Sequence, residues 1–125
     1  MPEKSKRRIL IVDDEASFRT LMEDFLATQG YETETAEDGR LGFRKAMTGN
    51  YDLVLADINM PGLNGVEAIR SIRTVFEKQR IVVLSGYLTP EVVEECRQAG
   101  AQVCMGKPVR LDELARVISR TLEDR

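Results

Sequence analysis

The sequence predicts an α/β protein with a doubly wound, five-stranded parallel sheet and helices on both faces. Three observations indicate this. Five short apolar or alternating runs are separated by five segments whose apolar residues recur at helical spacing. The length of 125 residues suits one domain, which we expect to span 1–125 with its core at about 8–122. The composition, 42% hydrophobic and 31% charged, is that of a globular chain.

The first three elements are predicted by periodicity and by one glycine. Ile9–Asp14 is a nearly continuous apolar run that stops on two acids, as a strand buried on both faces would. Apolar residues at helical spacing then predict a helix over 16–29, and Gly30 stands where that helix would end. Tyr31–Ala36 alternates and is rich in threonine, which predicts a strand with one wetter face.

The remaining elements repeat the same alternation. A short helix is predicted over 41–48, and later helices are predicted from Val66 to Phe76, from Pro90 to Gly100 and from Leu111 to Leu122. Thr89 and Pro90 favour a helix start, as an N-cap followed by proline in the first helical position. The third, fourth and fifth strands are predicted at LVLAD (53–57), IVVLS (81–85) and QVCMGKP (102–108).

Several polar residues stand where predicted strands end. They are Asp13 and Asp14 after the first strand, Asp57 at the end of the third, Ser85 at the end of the fourth and Lys107 in the fifth. Parallel strands present their carboxyl ends at one edge of a sheet, and ligands bind in the crevice where the strand order reverses. We therefore expect these residues to lie close together.

The expected group suits phosphoryl transfer. Carboxylates about 4 Å apart repel by roughly 4 kcal/mol per pair at a dielectric near 20, and a divalent cation with oxygen ligands, such as Mg²⁺, relieves this repulsion. Asp57 could then act as a carboxylate nucleophile and hold an aspartyl phosphate. Lys107 and the Ser85 hydroxyl could each bind a phosphoryl oxygen. The unobstructed N–H of Gly86 is a further donor.

Four motifs carry a resemblance to a known family. They are IVDDE (11–15), DINMPGLNG (57–65), LSG (84–86) and KP (107–108). In this order and spacing, over nearly the whole chain, they resemble the receiver domain of bacterial two-component response regulators. The resemblance implies a flavodoxin-like fold with strand order 2-1-3-4-5, and a cis peptide between Lys107 and Pro108.

The resemblance also implies a complete site. Phosphorylation would occur on Asp57, and Mg²⁺ would be held by Asp14, Asp57 and the main-chain carbonyl of Asn59, with Asp13 acting through water. Lys107 would bind the phosphoryl group, together with the hydroxyl of Ser85 and the backbone at Gly86 and Asn59. The protein would be a phosphoacceptor switch with self-catalysed phosphoryl transfer and autodephosphorylation, not a conventional enzyme.

The expected partners follow from the same resemblance. The phosphoryl donor would be a histidine on a sensor kinase or phosphotransfer protein, docking near Ala16 and Arg19 on the first helix. The output would be a contact with a downstream protein or effector domain, or a dimer, through the fourth helix, fifth strand and fifth helix. Because the chain ends at Arg125, it is expected to be a stand-alone receiver or a piece of a longer protein.

Two positions depart from the family pattern. Receivers usually carry Tyr or Phe three residues before the lysine, and this chain has Cys104 there. We expect Tyr87, two residues after Ser85, to be a possible substitute in the switch; an oxidation switch at Cys104 is the other possibility. Gly106, directly before the lysine, could add flexibility or relieve crowding.

Composition excludes several classes of function. The chain has no histidine, which removes HExxH zinc sites and Ser-His-Asp or Cys-His catalysis. Its net charge of -3 gives no electrostatic case for direct nucleic-acid binding, and the basic cluster at 4–8 is expected to be a solvated arm. Cys96 and Cys104 have no metal-ligand spacing and are expected to be small buried hydrophobes. The lack of a membrane-length apolar run or signal peptide predicts a cytoplasmic protein.

Two alternatives remain open at this point. The segment DIN (57–59) loosely resembles the nucleophile motif of haloacid-dehalogenase-type phosphatases, although Asn59 lacks the carboxylate of their general acid. A pseudo-receiver that only binds proteins is the other alternative, and the intact acid, hydroxyl and lysine set argues against it. P-loop chemistry is excluded because the sequence contains no GxxxxGK[ST] motif.

Overall fold

The computed structural model describes residues 6–59 and 64–123, in which five strands and five helices alternate. The elements are β1 (Arg8–Val12), α1 (Ala16–Thr28), β2 (Glu32–Ala36), α2 (Gly39–Ala46), β3 (Leu53–Asp57), α3 (Gly65–Val75), β4 (Arg80–Ser85), α4 (Pro90–Ala99), β5 (Val103–Gly106) and α5 (Leu111–Glu123). The predicted α/β class and element order are confirmed. The part of the DINMPGLNG motif at 60–63 lies outside the described residues.

The strands form one parallel sheet in the order β2-β1-β3-β4-β5, as expected. The order reverses at β1, which pairs with β2 on one side and with β3 on the other. Helices that start at the two strands of such a reversal leave in opposite directions and open a crevice at the carboxyl ends of those strands. The sequence-predicted polar residues lie at this edge.

The core has one apolar layer on each face of the sheet, because inward positions alternate along every strand. One layer packs α1 and α5 against the sheet, and its largest fully buried members include Ile9, Ile11, Met22, Leu26, Leu114 and Ile118. The other layer packs α2, α3 and α4 and includes Leu10, Val54, Ile69, Ile72, Val83 and Cys96. The strands are therefore covered on both sides, and their ends remain for polar chemistry.

Some boundaries differ by one or two residues from the sequence prediction. β1 ends at Val12, so Asp13 and Asp14 follow the strand, and β5 ends at Gly106, so Lys107 follows it. The backbone N–H of Asp13 still donates to the Ala36 carbonyl at 3.2 Å, but the chain then turns into α1. Hydrophobic periodicity cannot locate such an end, because it reports burial and not hydrogen bonding.

Local chemistry sets the ends of α2 and α4. The Thr89 hydroxyl accepts from the Val92 N–H at 3.2 Å, and Gly100 ends α4 with φ of 119°, both as predicted. The predicted start of the second helix was two residues late, because the Asp38 side chain caps it by accepting from the Leu41 N–H at 2.8 Å. The Lys107-Pro108 peptide is cis, which confirms that prediction. None of the described helices is both long and apolar enough to cross a membrane.

Candidate functional site

Three carboxylates converge at the reversal of strand order. One oxygen from each of Asp13, Asp14 and Asp57 can be chosen so that all three lie within 4.8 Å of one another. Asp13 is fully buried, Asp57 is 7% exposed and Asp14 is exposed, so the group opens to solvent on one side. Three carboxylate oxygens with an open side suit a hard divalent cation that keeps part of its water shell, as Mg²⁺ does.

Lys107 lies between the two buried carboxylates. Its ammonium Nζ is 2.7 Å from Asp13 Oδ2 and 3.1 Å from Asp57 Oδ2, although 94 and 50 residues separate these pairs in sequence. Burial lowers the pKa of Lys107, but the hydrogen bonds and charges of Asp13 and Asp57 outweigh burial, so that its pKa lies above the ordinary value. The ammonium group therefore stays charged at neutral pH and balances part of the negative charge.

Residues at the start of α1 support this arrangement. Hydrophobic periodicity predicts the helix there but not these contacts. The Phe18 ring lies under the ammonium group of Lys107, 4.4 Å from centroid to Nζ, as a cation–π contact. Arg19 donates to the main-chain carbonyl of Asp13 at 2.8 Å, and the Glu15 N–H donates to Asp13 Oδ1 at 2.9 Å. The predicted docking residue Arg19 is thus also a structural contact of the acidic turn.

Ser85 and Asn59 link the ends of β4 and β3. The buried Ser85 hydroxyl donates to Asn59 Oδ1 at 2.7 Å, and the Gly86 N–H donates to the same oxygen at 3.1 Å. The Asn59 backbone N–H donates to Asp57 Oδ1 at 2.7 Å. These side-chain contacts of Asn59 could not be predicted from the motif, because they depend on the proximity of two strands.

The two residues considered as switch elements lie in different surroundings. The Tyr87 side chain is 76% exposed, while its backbone N–H donates to the Ser85 hydroxyl oxygen at 3.0 Å. Cys104 is partly buried in the layer beneath α4. Gly106 lies beside Leu88, whose Cδ2 would be 3.7 Å from an added Cβ, an ordinary contact that does not by itself require glycine.

Cys96 and Cys104 lie in the same apolar layer, and each thiol influences the pKa of the other. Burial, reinforced by the neighbouring Cys96 thiol, raises the pKa of Cys104 to about 12, and burial also raises the pKa of Cys96. A thiol with such a pKa is almost entirely protonated at neutral pH, and the protonated form is a poor nucleophile. These contacts favour the packing role expected for both residues.

A family model described as "Response regulator receiver domain" matches residues 9–119, a range that contains every site residue described above. The chain belongs to this family. The expected resemblance is therefore confirmed, and with it a role in two-component phosphorelay signalling. Receiver domains are phosphoacceptor switches that bind Mg²⁺ at an acidic pocket, and the cluster of Asp13, Asp14 and Asp57 is compatible with both properties.

The chemotaxis protein CheY and sporulation initiation phosphotransferase F are relatives of nearly the same length as this receiver domain. The chemotaxis protein CheY of Bacillus subtilis (strain 168) is 35% identical over 92% of this chain and 97% of its own. Sporulation initiation phosphotransferase F of the same organism is 29% identical over 92% of this chain and 93% of its own. The receiver spans only 25% of the regulatory protein AtoC and 12% of the sensor histidine kinase RcsC, both of Escherichia coli (strain K12).

A solved structure of similar fold carries a ligand. The response regulator protein TrrA of Thermotoga maritima, in complex with Mg(2+)-BeF, superposes with a TM-score of 0.82 and is 36% identical. The alignment covers 92% of this receiver and 98% of TrrA. The similarity of fold therefore extends over nearly all of both chains.

Proposed function

We propose that this receiver accepts a phosphoryl group on Asp57 in an Mg²⁺-dependent reaction, later hydrolyses the aspartyl phosphate itself, and so switches a protein-binding surface. The observation that carries the proposal is the convergence of the Asp13, Asp14 and Asp57 carboxylates on one point, with the Lys107 ammonium group bonded to two of them. Solvated acids that only formed turns would not need a buried counter-charge 50 residues away in sequence.

Each side chain has a distinct part in the proposed reaction. Asp57 attacks the phosphorus atom with a carboxylate oxygen, and the donor's bond to phosphorus breaks as the new P–O bond forms. Lys107, which is held charged, pairs with a phosphoryl oxygen. The Ser85 O–H and the Gly86 N–H donate to the other phosphoryl oxygens.

Mg²⁺ fits the donor set, because all available ligands are oxygens and one side is open. Asp14, Asp57 and the main-chain carbonyl of Asn59 would hold it, with Asp13 acting through water. When bound, it neutralises charge that accumulates on the phosphoryl oxygens.

The partners belong to the same proposal. The sequence has no histidine, so the phosphohistidine donor in this proposal lies outside these 125 residues, and the sensor histidine kinase RcsC contains a segment similar to this receiver. We place donor docking on α1 near Ala16, next to the acidic turn. The face of α4, β5 and α5 would form the output contact or a dimer. In this proposal residues 1–125 are a single domain, and it works in the cytoplasm.

Intact-mass measurement tests the proposal. The protein is incubated with Mg²⁺ and acetyl phosphate, and the mass is followed over time for the wild type, Asp57→Asn and Asp24→Asn. We expect a labile gain of one phosphoryl group in the wild type and in Asp24→Asn, in which an exposed acid of α1 is changed. Asp57→Asn should gain nothing, because an amide is not a nucleophile of comparable strength.

Other results would overturn the proposal. Labelling of Asp57→Asn at the wild-type rate would place the acceptor elsewhere. Steady turnover of phosphomonoesters would indicate the hydrolase considered from the DIN segment. A wild-type protein that is never modified, with or without EDTA, would act only as a binding module.

A further inference from the structure

The side-chain oxygen of Asn59 accepts two hydrogen bonds at the end of the sheet. The Ser85 hydroxyl lies 2.7 Å from Oδ1 and the Gly86 nitrogen lies 3.1 Å from it. A carboxamide oxygen has two lone pairs, so these two donors saturate it. The contact joins the connection after β3 to the connection after β4, across 26 and 27 residues of sequence.

Each of these two donors has a single proton, and that proton is already donated to Asn59. A hydroxyl has one proton, and the Tyr87 N–H already donates to the Ser85 oxygen at 3.0 Å, which directs the Ser85 proton toward Asn59. The Gly86 backbone has a single N–H. Both groups are the donors that the proposed function assigns to the phosphoryl oxygens, so Asn59 and a phosphoryl group compete for them.

Asn59 also contacts the residue that would be phosphorylated. Its backbone N–H donates to Asp57 Oδ1 at 2.7 Å, while Lys107 holds the other carboxylate oxygen, Oδ2, at 3.1 Å. The same residue therefore contacts the acceptor through its backbone and the phosphoryl-binding donors through its side chain. Asn59 thus links Asp57 to the Ser85 hydroxyl by one hydrogen bond on each side.

We propose that the Asn59 carboxamide is a latch that occupies the phosphoryl-binding donors in the unphosphorylated protein. The inference rests on the proposed function. An arriving phosphoryl group takes over the Ser85 and Gly86 donors and displaces the Asn59 oxygen. Because the Tyr87 N–H bonds to the Ser85 oxygen, this exchange moves the connection between β4 and α4, and it provides a readout in a receiver that has Cys104 where an aromatic residue is usual.

With the latch, the apparent affinity for a phosphoryl group equals the intrinsic affinity multiplied by the fraction of molecules in which the donors are free. One net hydrogen bond changes such an equilibrium by about fivefold. The two bonds do not add fully, since Gly86 is exposed and its N–H can bond to water when Asn59 is removed. We therefore expect about fivefold tighter binding of a phosphoryl analogue when the acceptor is lost.

Beryllofluoride with Mg²⁺, titrated by ¹⁵N NMR, tests the latch. Asn59→Leu keeps a similar volume without an acceptor, and Asn59→Ala removes the bulk as well. Both should bind beryllofluoride about fivefold more tightly than the wild type. The Gly86 amide resonance of both free variants should also move from its wild-type position. In a Ser85→Ala background, the gain from Asn59→Leu should fall toward that of the Gly86 bond alone.

Two results with the variants would overturn the latch. One is unchanged or weaker binding in both Asn59 variants; the other is a gain in Asn59→Ala alone, which would indicate steric access and not competition for donors. If a variant does not fold, the wild type still decides: saturating beryllofluoride must shift the Asn59 side-chain NH₂ resonances together with the Gly86 amide. A wild type that neither binds beryllofluoride nor gains a phosphoryl group would refute the proposed function instead. A wild type that does both, with fixed Asn59 resonances, would refute the latch alone.

Discussion

Removal of the ammonium group of Lys107 tests whether it is the counter-charge that makes the acidic site tolerable. In Lys107→Met the apolar stem keeps its length, while the charge and its cation–π contact with Phe18 are lost. At a dielectric near 20, the separations of 2.7 and 3.1 Å correspond to roughly 5–6 kcal/mol of gross attraction per pair. Desolvation offsets much of this, and breaking a buried pair costs about 3–5 kcal/mol in practice.

The expected loss lies at the lower end of that range. The Lys107 side chain is 17% exposed, so water screens part of the interaction. We expect the free energy of unfolding in EDTA to fall by about 3 kcal/mol in Lys107→Met. Urea denaturation measures it. Lys78→Met removes an exposed ammonium group far from the site and should show no comparable loss.

Magnesium provides the second half of the test. A cation that binds only the folded state stabilises it by RT ln(1 + [L]/Kd). Without the Lys107 charge, the three carboxylates should bind Mg²⁺ more tightly, so Mg²⁺ should stabilise Lys107→Met by at least about 1 kcal/mol more than the wild type. A loss below about 1 kcal/mol in EDTA, or an equal gain from Mg²⁺ in both proteins, would refute the counter-charge argument.

Three further predictions concern the rest of the molecule. In Gly42→Ala the new Cβ would lie 2.5 Å from Val12 Cγ1, and the overpacking between α2 and β1 should cost about 1–3 kcal/mol in urea denaturation. Because the pKa of Cys104 is raised to about 12, its thiol should stay neutral at pH 8 and ionise only as the pH rises toward that value. It should react with iodoacetamide about 10²-fold more slowly than a thiol of pKa near 8.5, because its smaller thiolate fraction outweighs the greater nucleophilicity of a more basic thiolate. Rapid labelling of Cys104 in the native protein, measured by mass spectrometry, would contradict this. Arg73 donates to main-chain carbonyls of both the α3–β4 and α4–β5 connections, so Arg73→Met should lower stability by about 3 kcal/mol, and an unchanged urea midpoint would show that these bonds contribute little.

The secondary structure was predictable because burial repeats in the sequence with the period of each element. A strand covered on both faces needs an apolar run, and a helix on the sheet needs an apolar stripe, so β3 and α5 could be identified from residue type alone. The helix starts at Pro90 and Gly39 show how far a helix boundary can be predicted from sequence. Thr89 and Pro90 are a strong start signal, whereas Asp38 caps α2 within a stretch whose apolar pattern begins later.

The convergence of the strand-end polar residues was predictable because parallel strands end at a common edge. That rule was sufficient to bring Asp13, Asp57, Ser85 and Lys107 together from distant parts of the chain. The rule places each residue at the carboxyl-terminal edge of the sheet, but it does not set the direction of its side chain. The bond from Ser85 to Asn59 and the contact of Phe18 with the lysine were therefore not foreseen.

The alternation of elements and the residue types at the strand ends can be read from the sequence, since both depend on local periodicity and on a topology with few allowed forms. The pairing of donors with acceptors becomes visible in the folded chain, where Lys107 bonds to Asp13 and Asp57 and the Ser85 hydroxyl bonds to Asn59. These pairings cannot be predicted from sequence because the interactions act only over short distances. Hydrogen bonds and ion pairs at this edge form within about 3 Å, a distance that the spacing of residues along a chain cannot specify.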